Sequence, residues 1–476
     1  MERAWPGRDV EIINLGTTAV ASFPVYDMVR QLLPYRPDLV ILYAGNNEFY
    51  GSYGVCSTHY AGRYPALMPL VRRIQGLALA QALERLVARL NRGSVREEIL
   101  MERMMAKRTV AADSPLRARA AAHLAHHVRA IAALCAAENI PLMVCSLAAN
   151  EKDLAPFGSD ASAPAADPAL AAFRQGRALL AAGETAGAAS AFAAAVDADP
   201  MPWRPTSLQQ EALRATAMDT GAMFCDVRGL FRRLSPGGVI GWELMDDHVH
   251  FSLPGQYAFA LAVLQALNGA PGRLGVKESA LRELPNWEAA AKRLGANPYE
   301  SYACMFALRE IFSTGFMKTS NPEAADLMEN RMEAAVRAMD PSVASAFVSA
   351  MQARGKSSAE FRSASGTAAE LLIEAGKIEA AVPLLDFACR ASAEYSRTRR
   401  INAALMYACL ARLGRLDDDA RAGAQAEIAR GRVLLAYGAD TSGITEFALS
   451  KLYELLGQPV EALSFRDRAL AKNPEL

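Results

Sequence analysis

Leu39-Val40-Ile41-Leu42-Tyr43 is an unbroken apolar run that stops at Gly45-Asn46-Asn47. Strict alternation of apolar and polar residues would mark a strand with one wet face. A short run without alternation, bounded by turn residues, marks a strand covered on both faces. Covering both faces takes two layers of helices, so this stretch predicts an α/β domain with a parallel sheet. The residues just past the carboxyl end of such a strand are where open α/β sheets build their sites. Asn47 has two readings at this point: a turn residue closing the strand, or a working amide donor.

The rest of the first half repeats the theme. Strand-like runs at Val10–Leu15, Asp38–Ala44, Ile140–Leu147 and Met223–Val227 are separated by helical patterns at Ser22–Leu33, Leu67–Lys107 and Pro115–Glu138. Ser114 stands as N-cap of the last helix, with Pro115 at its first position. The opening MERAWPGRDVEIINLG reads as the last turn of a helix, a Pro6-Gly7 loop and a strand. The chain is therefore expected to begin inside a domain, with any signal or anchor outside it. The cell compartment is not readable.

A second texture interrupts the first. Ala171–Pro200 places Gly176, Gly183, Ala188, Phe192, Ala195 and Pro200 at the small, turn, small, large, small and stop positions of a tetratricopeptide (TPR) repeat. Leu449, Tyr453, Gly457, Ala462, Ala469 and Pro474 keep the same offsets, Gly376, Ala381 and Ala388 form a weaker copy, and Gly414 centres a marginal one. Only helical periodicity follows Gly269. The expected plan is an α/β domain over 1–271 with a helical hairpin inserted at about 167–200, a linker at Asn268–Gly275, and an all-α TPR-like solenoid over 272–476.

Composition removes several classes of partner. Acids and bases balance at 51 each, which gives no general reason to expect nucleic acid. The seven Cys show no Cys-x-x-Cys spacing, so neither a zinc ribbon nor a disulfide framework is indicated. No apolar run approaches the roughly 20 residues of a membrane span.

Three polar features sit at or beyond predicted strand ends: Asn14-Leu15-Gly16, Gly45-Asn46-Asn47-Glu48, and Met245–Ser252, which reads MDDHVHFS and precedes a helix near Pro254. In a parallel sheet these points gather on one rim. The spacing Asp247-x-x-His250 on a tight turn lets the carboxylate reach the His Nδ1–H, fix its tautomer and stabilise the imidazolium, as in the supporting half of a Ser-His-Asp triad. Asn47 offers an amide N–H and Gly16 an unobstructed backbone N–H, and two such donors aimed at one point make an oxyanion hole.

With these motifs in this order, the chain resembles the SGNH/GDSL hydrolase superfamily, in a subgroup fused to TPR repeats. NLG, GNNE and DHVHFS look like its second, third and fifth blocks, and the resemblance covers about Val10 to Leu267. It implies a three-layer, flavodoxin-like parallel-sheet domain and metal-independent ester hydrolysis without a cofactor. His250 would be the base and Asp247 its acid, and Gly16 and Asn47 would hold the oxyanion. The substrate is an acyl ester of unread class, and the TPR-like repeats would bind a protein or peptide. The family's first block, which carries the nucleophile, has no counterpart here: Gly158-Ser159-Asp160 follows the wrong strand. No nucleophile is assigned, and this chain as it stands is expected to be inactive. The alternative is a non-catalytic TPR scaffold with a relic α/β domain.

Plainer readings stand beside these. His248 and His250 resemble a metal-ligand pair, but no third ligand of matching spacing accompanies them. His123, His126 and His127 share one helix at i, i+3, i+4 spacing and read as surface or core histidines. Arg72, Arg73, Arg85, Arg89, Arg92 and Arg96 read as a solvated helix face, with phosphate or anionic lipid as the alternative. His59 reads as a loop residue and Ser146 as structural.

Overall fold

The structure, a computed structural model, describes residues 4–58, 70, 73–74, 77–78, 105, 109–159, 167–354, 363–438 and 440–476. It is mostly helical with a small three-stranded parallel sheet. Chain contacts divide it into two compact units, Met1–Glu288 with Glu310–Ala325, and Ala289–Arg309 with Asp326–Leu476.

The first unit runs α1 (Ser22–Leu32), β1 (Val40–Leu42), α2 (Pro115–Ala137), β2 (Leu142–Cys145), α3 (Pro168–Ala181), α4 (Thr185–Ala198), α5 (Ser207–Thr220), β3 (Met223–Cys225), α6 (Val227–Leu234) and α7 (Leu253–Ala266). The strands lie in the order β1-β2-β3, all parallel, with Val40 opposite Leu142 and Cys145 opposite Cys225. Successive side chains of β2 enter opposite cores, as a pleated strand requires. Leu142 and Val144 pack with Leu124, Val128 and Ile131 of α2 and Leu213 of α5. Met143 and Cys145 pack with Phe231 of α6 and Val263 of α7. Helices thus cover both faces of β2, which is why that strand is apolar without alternation; β1, at the sheet's edge, buries Val40 and Leu42 and exposes Ile41. Ser114 caps α2 as expected, accepting the Leu116 N–H, and Ser252 caps α7, accepting the Gly255 N–H.

Two expectations are corrected. Val10–Leu15, expected as the first strand, joins no sheet among the described residues, and Ile12 stands 65% exposed. Alternation and β-propensity are local, whereas a strand exists only by pairing its backbone groups with a neighbour. Ile13 and Leu15 instead line a groove of about 300 Å³ with Met28 and Leu32 of α1 and with Tyr35. Asn268–Gly275, expected as a linker, is part of the first unit. Leu274, Val276, Leu281 and Leu284 pack on its core, and Trp5 Nε1 donates to the Leu274 carbonyl at 3.2 Å. The Gly and Pro content of the segment hides this apolar continuation. The expected basic helix at Leu67–Lys107, apart from isolated positions, lies outside the described residues, as do His59, Arg72, Arg85, Arg89, Arg92, Arg96 and Asp160.

α3 and α4 form the inserted hairpin, and Gly183 turns the chain between them at φ +79°. The second unit repeats this device. Ala364–Glu374 and Ile378–Ala391 turn at Gly376, Arg397–Arg412 and Asp418–Ala436 at Gly414, and Ile444–Leu455 and Pro459–Lys472 at Gly457, all with φ between +66° and +75°. Glycine enters this left-handed region without a Cβ penalty. Exposed ion pairs recur at the hairpin period: Lys377–Asp340 37 residues apart, and Arg415–Glu379 and Arg430–Glu394 each 36 apart. Among the described residues no helix is long and apolar enough to cross a membrane.

Candidate active site

The loop between α6 and α7 is a small closed turn. Met245 bridges Phe251, and the Asp246 N–H donates to the His250 carbonyl at 2.9 Å. Asp247 builds the turn from inside: its Oδ1 accepts the backbone N–H groups of Val249 at 2.8 Å and His250 at 2.7 Å. Its Oδ2 lies 2.6 Å from His250 Nδ1. Asp247 is buried, whereas the His250 side chain is 77% exposed. Nδ1 is therefore held from behind while Nε2 is left to the solvent side.

The charges follow from this geometry. Burial opposes ionisation of Asp247, but neighbouring His248 and the hydrogen bonds and charge of His250 hold its carboxyl well below the usual range. The hydrogen bond to Asp247, then its charge, raise His250 above the ordinary imidazole value. His248, buried beside them, is pushed down to about 4 by burial against the pull of Asp247. Its Nδ1 sits 3.6 Å from Asp247 Oδ1, too far for a hydrogen bond.

Three further segments close on this turn: the loop after β2, the stretch after α4 and the Glu310–Ala325 excursion. The Asn150 N–H donates to the His248 carbonyl at 3.0 Å. Fully buried Arg204 donates to the carbonyls of Asn150 at 3.0 Å and Leu154 at 2.8 Å, and pairs with Asp199 at 3.5 Å. The His248 ring lies 5.5 Å from Phe157 and 6.3 Å from Trp203. Phe316, from the Glu310–Ala325 excursion, completes this aromatic wall, 5.9 Å from Phe157 and parallel to Trp203 at 6.3 Å. Asn321 clamps Ala155, accepting its N–H at 2.7 Å and donating to its carbonyl at 3.3 Å.

The loop after β1 reaches the same region. Tyr43 lies 5.3 Å from Phe251, the neighbour of His250, and Tyr50 lies 4.5 Å from Trp203. Gln209 holds the Gly45 carbonyl at 2.7 Å. Asn47 is half-buried and its carbonyl accepts the Gly51 N–H at 2.8 Å. Asp247 and His250 are thus brought together directly. Asn47 shares their end of the sheet, but no hydrogen bond joins it to the pair among the described residues. Gly16 is exposed, and its N–H donates to Asn14 Oδ1 at 2.8 Å.

Ser146 donates to Asp226 Oδ1 at 3.0 Å and accepts the Arg228 N–H, which is a structural role. His123 and His127 are buried on α2, and burial pushes each down to about 4. Sequence reasoning missed Asn150, Trp203 and Arg204. Asn150 follows a parallel strand and was open to the strand-end rule. Trp203 and Arg204 follow the inserted hairpin and carry no local signal. No protein family, curated protein or solved structure matches this chain.

Proposed function

We propose that this protein hydrolyses acyl esters through a Ser-His-Asp mechanism of the SGNH/GDSL type. The observation that carries the reading is the 2.6 Å contact between a buried Asp247 and an exposed His250 at the carboxyl rim of a parallel sheet. His250 Nε2 takes the proton of a serine as it attacks the carbonyl and returns it to the leaving alcohol. Asp247 holds the tautomer and stabilises the imidazolium. The Asn47 amide and the Gly16 N–H hold the oxyanion, Gly16 exchanging Asn14 for it. The helical hairpins of the second unit bind a protein or peptide partner. The native gene product, purified from its source, decides the matter. A fluorophosphonate probe should label a single serine. His250→Ala should abolish that labelling and cut acetyl-ester hydrolysis by about a thousandfold or more.

One observation favours a scaffold instead: among the described residues no Ser, Thr or Cys hydrogen-bonds His250. Native protein that neither takes the probe nor hydrolyses short acyl esters supports that reading.

A further inference from the structure

Glu48 follows Asn47 directly, and its carboxylate is buried at the amino end of α1. Oε1 accepts the Ser22 backbone N–H at 2.7 Å, and Oε2 accepts the Ser22 hydroxyl at 2.9 Å. The same hydroxyl lies 2.8 Å from His127 Nδ1 on α2. No cation pairs with Glu48 among the described residues, so its desolvation is met by Ser22 and by the first-turn amide of α1. Backbone bonds tie the rest of the loop down at the same place. The Val55 N–H donates to the Glu48 carbonyl at 2.9 Å, and the Ala21 N–H to the Ser52 carbonyl at 3.2 Å.

We infer that Glu48 is a positioning residue for Asn47: a buried carboxylate that, with Ser22 and His127, clamps the loop after β1 onto α1 and α2. This rests on the reading of Asn47 as an oxyanion donor. Without the clamp the loop would keep its backbone bonds but lose its side-chain tether to α1.

The hydrogen bonds have two consistent states. With Glu48 ionised, Ser22 Oγ–H donates to Oε2 and His127 donates from Nδ1. With Glu48 protonated, its O–H donates to Ser22 Oγ, Ser22 donates to His127 Nδ1, and the imidazole carries its proton on Nε2. One proton is taken up in all. Burial pushes Glu48 up to about 7. A carboxyl raised in this way contributes stability that is complete below its ordinary value and lost as pH rises through about 7. His127, pushed down to about 4, works in the opposite sense at lower pH. Phe23, packed with Tyr26 and Tyr53, lies 5.7 Å from the His127 ring, His123 acts on His127 from one turn earlier on α2, and exposed His126 lies 5.2 Å from it.

The test compares Glu48→Gln and Glu48→Leu with the parent, each also in a His126→Asn background, between pH 5.5 and 8.5. Glutamine reproduces the protonated hydrogen-bond pattern and cannot titrate. The expected result is that the Asn47 side-chain amide NMR signals and the protection factor of the Ser22 amide, referred to its base-catalysed intrinsic exchange, shift with pH in the parent. Both should stay flat in Glu48→Gln. In Glu48→Leu, exchange of the Ser22 amide and of residues 45–57 should rise about ten- to a hundredfold. The same pH response in parent and Glu48→Gln overturns the inference, as does unchanged exchange in Glu48→Leu. If Glu48→Leu does not fold, the glutamine comparison decides alone. None of these readouts needs turnover, so absent esterase activity in the native protein would sink the hydrolase reading while the clamp is judged separately.

Discussion

Asp247 holds His250 twice, through Oδ2 to the ring Nδ1 at 2.6 Å and through Oδ1 to its backbone N–H at 2.7 Å. One carboxylate therefore sets both the turn and the tautomer. Asp246 meets the same residue through its backbone N–H, which donates to the His250 carbonyl.

The two aspartates should separate on substitution. Asp247→Asn is expected to lower the His250 pKa from its raised value, and Asp246→Asn to move it far less. The titration of the His250 ring proton by NMR measures both. In the active native protein the Asp247 change should cost up to about ten-thousandfold in turnover. A larger effect from Asp246→Asn would reassign the acid.

The Asp247–His250 pair also sets a pH window. Asp247 is depressed, so its contribution is present above the ordinary carboxylate value and lost as pH falls through its lowered one. His250 is raised, so its contribution is complete below about 6.5 and lost as pH rises through its raised value. The downfield signal of an Asp-bound Nδ1–H should therefore persist through mildly acid pH and fade on the alkaline side. Fading on acidification from pH 6 to 5 would contradict this.

Asp199 accepts the N–H groups of Phe157, Gly158 and Met201 and pairs with Arg204. Asp199→Ala leaves a fully buried guanidinium without its charge partner. The expected loss is about 3–5 kcal/mol in chemical denaturation followed by tryptophan fluorescence. A loss under 1 kcal/mol would mean that the Asn150 and Leu154 carbonyls suffice for Arg204.

Phe316 and Asn321 lie far along the chain from the loops they support. Phe316→Ala should expose Trp203 and shift its emission to the red, with about 1–3 kcal/mol of lost stability. Asn321→Ala should free the Ala155 amide to exchange. An unshifted emission spectrum would show that Trp203 is shielded without Phe316.

The turn glycines should respond to φ alone, because a Cβ at Gly183, Gly376, Gly414 or Gly457 meets nothing within 4 Å. Gly414→Ala should cost about 1–2 kcal/mol, and Gly414→Asn less, since Asn tolerates the left-handed region better. Gly176 differs: its added Cβ would lie 3.0 Å from the Phe192 ring, so Gly176→Ala tests packing between α3 and α4.

Local rules carried much of this chain. The unbroken run at Leu39–Tyr43 predicted cover on both faces, which β2 has in full, whereas on β1 Val40 and Leu42 are buried and Ile41 stands 39% exposed. Gly183, Gly376, Gly414 and Gly457 announced their hairpins because only one residue type enters their φ cheaply. Asp247 and His250 were legible because three residues of spacing on a turn nearly dictate their contact. What pairs or packs across long separations was not legible. Val10–Leu15 has the pattern of a strand but pairs with no strand among the described residues. Asn268–Gly275 looked like a linker and proved to be part of the first unit, with Leu274 packed on its core. Asn150, Trp203 and Arg204 came to the site only through contacts dozens of residues apart or more. Glu48 stood in view beside Asn47, yet its role depends on Ser22 and on His127, 105 residues beyond that serine. A pattern in sequence records what a residue can satisfy locally. Which partner satisfies it is decided when desolvated groups from distant elements must be paired or left costly.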